Sequence, residues 1–188
     1  MKKFFCLHGL PRAGNTLLGS IINQNPKVAV TANSIVADML GDLYKLQNTD
    51  IFKNFPDHRS FDNVTKSLIQ TYYKDWSADY IIDRAPWGLP INLKFLKEIQ
   101  EDIRIVVLVR DVEEILASFI KWSEREPTSF VNQFEVKTVE EKCDMLMNKE
   151  GQIVKELIGI KHLLDHQPKE MYHIVEYNDL CDNPEQVI

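Results

Sequence analysis

The segment His8-Gly9-Leu10-Pro11-Arg12-Ala13-Gly14-Asn15-Thr16 carries two glycines in G-x4-G spacing, followed by a hydroxyl. That pattern suits a loop wrapped around an anion. Glycine lets the backbone turn and approach closely, and N–H groups at the start of a following helix point at the charge. Thr16 adds a hydroxyl donor. Asn15 stands where a nucleotide-hydrolysing loop carries the lysine that neutralises the β- and γ-phosphates, which disfavours phosphoryl transfer. Arg12 offers a cation from a different place, unless it is only an exposed arginine on a glycine turn. A second constellation follows a later apolar run: Arg110 comes directly after Val109, and Ser118 lies about two helical turns on. An arginine fork with a hydroxyl can clamp a phosphate monoester. The competing reading is a surface salt bridge for Arg110 and a small packing residue for Ser118.

These groups need elements to hold them. Residues 3–8 form an apolar strand candidate, and residues 15–25 a helix with Leu17, Leu18, Ile21 and Ile22 on one face, stopped by Pro26. Helices are expected over residues 34–46 and 61–76, with a polar loop over 49–60 between them. A strand over 80–83 precedes the breakers Pro86, Gly88 and Pro90 and a helix running to about residue 101. The run 103–109 is continuous and β-branched, as in a parallel strand buried on both faces. A helix over 111–123 starts with Asp111 and Glu114 in capping-box spacing. A long helical stretch over 138–165 and a strand over 171–176 complete the chain. Alternating strands and helices predict an α/β fold with a mostly parallel central sheet and right-handed crossovers. Ligands of such sheets bind beyond the carboxyl ends of the strands, so the chemistry should follow His8, Asp83, Val109 and Glu176.

Length and composition bound the rest. The chain has 188 residues, room for a single domain with one sizeable core over residues 1–188. With 44% apolar and 27% charged residues it reads as a soluble globular chain, which excludes collagen-like and disordered classes. A net charge of −6 repels nucleic acid and anionic membrane surfaces, yet leaves a local arginine cluster free to hold a small anion. No run approaches the roughly 18 apolar residues of a membrane span. The apolar start stops at His8 with no cleavage-like tail, unlike a signal peptide. Cys6, Cys143 and Cys181 form no CxxC pair; read as three small buried apolar residues, they point to a reducing, cytoplasmic compartment.

Taken together, these motifs resemble the sulfotransferase family, whose loop runs like G-x-P-R/K-S-G-T-T after a strand. The chain has Gly9-Leu10-Pro11-Arg12-Ala13-Gly14-Asn15-Thr16 there. The family pattern V-R-D-P followed by a serine is matched by Val109-Arg110-Asp111-Val112 and Ser118. Tyr177-Asn178-Asp179-Leu180 with Asn183-Pro184 is similar to the family's Y-E-D-L followed by P-E. The resemblance implies a three-layer, P-loop NTPase-like fold that binds 3′-phosphoadenosine 5′-phosphosulfate (PAPS) as co-substrate, without a metal. It implies a sulfuryl transfer to a hydroxyl or amine on a small-molecule, glycan or peptide acceptor. Pro11, Arg12, Ala13, Gly14, Asn15 and Thr16 would hold the 5′-phosphosulfate; Arg110 and Ser118 would hold the 3′-phosphate, with Tyr177 beside them.

The catalytic candidates are Arg12, Arg84 and Asp83. Asp83-Arg84-Ala85-Pro86 looks like the family's segment of type E/D-K-S-P or T-H-L-P, which puts Arg84 near the acceptor; a surface pair with Asp83 or Asp79 is the alternative. Family members take the acceptor proton with a glutamate after the first helix or a histidine ending the third strand. This chain has Thr31-Ala32-Asn33-Ser34 and Arg84 in those places, so Asp83 is the candidate base. His8 could reach the site or satisfy backbone groups beside the loop. Trp76, Trp87, Trp122 and Phe130 are candidates for an acceptor wall, against ordinary packing. Ala13 replaces a family serine, and Asn15 replaces a threonine while keeping donor capacity. The family continues past the third motif with a helix and a basic, glycine-containing segment, which this chain is expected to lack. Two other readings stay open: a P-loop kinase or hydrolase, and a non-catalytic nucleotide-binding relative.

Overall fold

The computed structural model describes residues 2–187. Five strands, β1 (Lys3–Gly9), β2 (Val28–Val30), β3 (Tyr80–Arg84), β4 (Ile105–Val109) and β5 (Tyr172–Glu176), form one parallel sheet in the order β2-β3-β1-β4-β5. The chain moves from β1 to one side of it for β2 and β3, then to the other side for β4 and β5. The switch point therefore falls between β1 and β4, whose carboxyl ends open a crevice. Both strands are runs without alternation because both faces are covered. Phe4, Cys6 and Leu7 of β1 are buried, as are Ile105, Val107 and Leu108 of β4.

Helices α1 (Asn15–Ile22), α2 (Val36–Leu46), α3 (Asp50–Asn54), α4 (His58–Tyr72), α5 (Pro90–Ile99), α6 (Val112–Arg125), α7 (Val139–Leu146), α8 (Gln152–His166), α9 (Tyr177–Asp182) and α10 (Pro184–Val187) flank the sheet. Helices α2, α4 and α5 pack on one another, α5 meets α8, and α7 bridges α6 and α8. The three-layer α/β arrangement is the one expected.

Several boundaries differ from the sequence reading. The stretch 138–165 is two helices. A turn over Asn148 to Gly151 separates them, with Gly151 N–H donating to the Asn148 carbonyl at 2.7 Å. Strand β2 is too short to carry a periodic signal and exists because Val28 to Val30 pair with β3. The polar stretch 49–60 contains α3, capped by Thr49, and the first turn of α4, capped by Asp57. Asp111 caps α6 by accepting from Glu113 and Glu114 N–H, but Glu114 turns to Arg110 rather than back to the cap. A full capping box opens α7, from Thr138 and Glu141. The cysteines also differ among themselves. Cys6 is buried in β1, whereas Cys143 is half-buried and Cys181, on the short surface helix α9, is exposed. Among the described residues no helix is long and apolar enough to cross a membrane.

Candidate active site

The loop between β1 and α1 is fastened at several points. Leu10 N–H donates to the Leu108 carbonyl of β4 at 3.2 Å, and Ala13 N–H to the Leu10 carbonyl at 3.1 Å. Arg12 takes a left-handed φ of 63°, a conformation that costs a non-glycine residue about 1–2 kcal/mol. Gly14 has a φ of 98°, and a Cβ there would lie 2.6 Å from the Tyr177 ring. The second glycine is therefore required twice, for its backbone angle and for the ring packed on it. At Gly9 a Cβ would meet the Asn15 amide oxygen at 1.9 Å.

Beyond this loop lies an open cavity of about 860 Å³. Nine of the eleven expected site residues line it: Pro11, Arg12, Gly14, Asn15, Thr16, Arg84, Arg110, Ser118 and Tyr177. Ala13 does not: it is fully buried, and its N–H is spent inside the loop. Asn15 donates its amide to the Leu10 carbonyl at 2.8 Å, so its donor capacity serves the loop rather than the cavity.

The two anion constellations are physically joined. Arg12 Nε donates to Ser118 Oγ at 3.2 Å, and its guanidinium lies over the Trp122 ring, 5.3 Å from the centroid. Arg110 Nη1 donates to the Arg12 carbonyl at 3.2 Å, and its guanidinium stacks 4.0 Å from the Tyr177 centroid. Arg110 Nε donates to Glu114 at 2.8 Å. A surface pair for Arg110 is thus present, yet the arginine is mostly buried and faces the loop.

Asp83 and Arg84 are neighbours in β3 with opposite placements. Asp83 has no exposed surface and does not line the cavity. One carboxylate oxygen accepts from Trp87 Nε1 at 2.8 Å and the other from the Tyr73 hydroxyl. Burial pushes its pKa up, while those hydrogen bonds pull it down. The structure thus corrects the assignment of Asp83 as a base at the site: its lone pairs are used in the core and no acceptor can reach it. Arg84 points the other way, as strand alternation requires. It lines the cavity, and its Nη1 donates to the Ala32 carbonyl at 2.7 Å. Among the described residues no carboxylate forms an ion pair with it.

His8 satisfies the backbone beside the loop. Its Nδ1 accepts from Gly88 N–H at 3.2 Å, and Nε2 lies 3.4 Å from a carboxylate oxygen of Glu156. Burial lowers the imidazole pKa to about 4 and raises that of Glu156 to about 7. The contact therefore joins a neutral ring to a carboxyl and is not a charged pair near neutrality. Trp122 and Phe130 line the cavity; Trp87 is fully buried in the core and Trp76 packs edge-on against Tyr73 outside it.

The cavity also takes residues that no motif announced. Phe119 and Phe134 extend its aromatic wall, and Glu150, Gln152 and Lys155 bring in the start of α8. Glu150 pairs with Lys155 at 3.0 Å. Their only sequence signal was the turn ahead of α8, which the helical periodicity concealed. Among the described residues no cluster of His, Cys, Asp or Glu could hold a metal ion.

The family model described as the sulfotransferase family matches residues 5–188. Comparison with curated proteins by sequence gives no match. Among solved structures, a sulfotransferase domain from the curacin biosynthetic pathway superposes with a TM-score of 0.64 at 14% identity, over 99% of this chain and 70% of that one. A sulfotransferase domain from the Synechococcus PCC 7002 olefin synthase gives 0.61 at 16% identity, over 100% and 70%. A sulfotransferase from Alicyclobacillus acidocaldarius gives 0.64 at 12% identity, over 100% and 77%. At these identities the likeness is one of fold.

Proposed function

This chain belongs to the sulfotransferase family, and from that premise we propose that it transfers a sulfuryl group from PAPS to a hydroxyl or amine acceptor. The observation that carries the reading is the convergence of two anion-binding constellations on one cavity, the loop with Arg12 and Thr16 and the pair Arg110 with Ser118. A donor with anionic groups at two positions matches that spacing in kind. The residues present fit it chemically. They supply helix N–H groups, two guanidiniums and two hydroxyls, and they carry no lysine at Asn15 to favour a nucleotide triphosphate.

When bound, PAPS supplies a sulfuryl group on an anionic leaving group. The chain's own task is positioning and charge stabilisation. Arg12 sits between the two anion sites, in contact with Ser118 and bonded through its carbonyl to Arg110. It is placed to stabilise charge that develops on the leaving side. Arg84 lies on the same cavity and orients the acceptor. Glu150 supplies the only carboxylate among the described residues lining the cavity, and it takes the place of Asp83 as the candidate for the acceptor's proton. The aromatic wall of Phe119, Trp122, Phe130 and Phe134 suits planar or apolar groups.

The test is thermal stabilisation by adenosine 3′,5′-bisphosphate without magnesium against ATP with magnesium. The bisphosphate should raise the midpoint more, and a preference for ATP with magnesium overturns the reading. Labelled sulfate is then followed onto a panel of alcohols, phenols and amines. Binding without transfer to any of them would leave a nucleotide-binding protein rather than an enzyme.

A further inference from the structure

The cation of the second anion constellation is held on three sides. Glu114 takes the Arg110 Nε hydrogen at 2.8 Å, the Arg12 carbonyl takes one from Nη1 at 3.2 Å, and the Tyr177 ring lies against the guanidinium plane at 4.0 Å. A guanidinium carries a fixed fork of N–H donors, so these contacts determine which donors remain and where they point. Arg110 lines a groove along α6 together with Ser118, Lys121 and Arg125. Glu114 sits one helical turn from both Arg110 and Ser118 and lines the same groove.

A carboxylate beside an anion site is an odd neighbour. By charge alone it repels an incoming phosphate and partly neutralises the arginine meant to bind it. Its geometry argues for a different effect. A long, flexible arginine loses side-chain freedom when it grips a ligand, and that cost falls if the fork is already fixed. We propose that Glu114 is a positioning residue that holds the Arg110 fork toward a ligand's phosphate monoester. The inference rests on the donor-site reading above and goes beyond it by assigning a role to a position that the second motif leaves unspecified.

The two effects of Glu114 predict opposite signs, which makes the proposal decidable by calorimetry. Adenosine 3′,5′-bisphosphate and adenosine 5′-monophosphate are titrated into the unaltered protein and into Glu114→Ala, Glu114→Gln and Arg110→Ala. Positioning requires that Glu114→Ala weaken the bisphosphate about three- to tenfold, even though it removes a repelling charge. The monophosphate should be unchanged. Glu114→Gln keeps an oxygen to accept from Nε and drops the charge, so it should bind at least as tightly as the unaltered protein. If Glu114→Ala binds the bisphosphate equally well or better, the residue is a mere counter-ion and the proposal is overturned. Equal loss of both nucleotides, or a Glu114→Gln as weak as Glu114→Ala, overturns it too. Arg110→Ala separates the layers: if it keeps the preference for the bisphosphate, the donor-site reading itself fails, whatever Glu114 does. Glu114 is partly exposed on the first turn of α6, and far-ultraviolet circular dichroism checks that each variant is folded.

Discussion

The turns that follow β1 and β3 stand side by side, at the carboxyl ends of adjacent parallel strands, with Cys6 opposite Asp83 and Leu7 opposite Arg84. The first turn opens into the cavity. Arg12 and Gly14 take left-handed angles, and most of the loop's residues line the open space. The second turn closes on itself. Ala85 N–H donates to the Leu7 carbonyl, Leu89 N–H to the Pro86 carbonyl and Gly88 N–H to His8, while Asp83 and Trp87 vanish into the core. Of its residues only Arg84 reaches the cavity. A place at a strand's carboxyl end is therefore not enough to put a turn on the cavity. What matters is whether the turn's polar groups are left facing the crevice or are spent on neighbours.

The contrast can be broken by substitution. The largest effect is expected from Arg12→Ala in the open turn. Turnover should fall about 10²–10³-fold, as for loss of one stabilising donor, with bisphosphate affinity falling less. Equal losses in rate and affinity would reduce Arg12 to an anchor. In the closed turn, Asp83→Ala strands the Trp87 and Tyr73 donors and should cost about 3 kcal/mol in denaturant unfolding. Bisphosphate affinity of the folded variant should stay the same, and a parallel drop would move this turn into the site. Arg110→Ala inverts that pattern. Bisphosphate binding should weaken about 10- to 100-fold, a charged hydrogen-bond pair's worth, with little change in the unfolding midpoint.

The smallest effect sharpens the contrast where the closed turn meets α8. Glu156, raised to about 7, keeps its proton longer in the folded state than in the unfolded one. Its contribution to stability is thus present at low pH and is lost as pH rises from the ordinary carboxylate range through 7. His8, lowered to about 4, does the reverse, and its contribution is lost as pH falls from 6.5 toward 4. The slopes oppose each other in the acidic range, and only the Glu156 loss persists above it. Glu156→Gln should therefore gain about 1–2 kcal/mol relative to the unaltered protein between pH 5 and pH 8. A difference that does not vary with pH would show that burial does not hold the carboxyl's proton.

Much of this was legible from residue order. The G-x4-G loop, Arg110 at a strand end and Ser118 two turns into a helix each carry a local signal, because loop angles and helix faces depend on near neighbours. The continuous runs of β1 and β4 announced a doubly covered parallel sheet for the same reason. Asp83 and Arg84 show where that logic stops. Alternation says that they point opposite ways and not which of them meets Tyr73 and Trp87. The start of α8 was illegible, since Glu150 and Lys155 lie about 40 to 45 residues beyond Arg110 in the chain and only packing folds them onto its cavity.

Sequence alone determined the fold class, the glycine loop and the Arg110–Ser118 motif, and most of the elements that carry them, since these follow from residue type and short-range spacing. Tertiary structure decided that Asp83 is buried in the core and that Arg84 lines the cavity. It also decided that Arg12 rests on Ser118, and that Arg110 is locked among Glu114, Tyr177 and the Arg12 carbonyl. Glu114 is only four residues from Arg110, but the contacts of Arg12 with Ser118 and of Arg110 with Tyr177 and the Arg12 carbonyl join segments far apart in the chain. Their partners are chosen by sheet order and register, which no local pattern encodes.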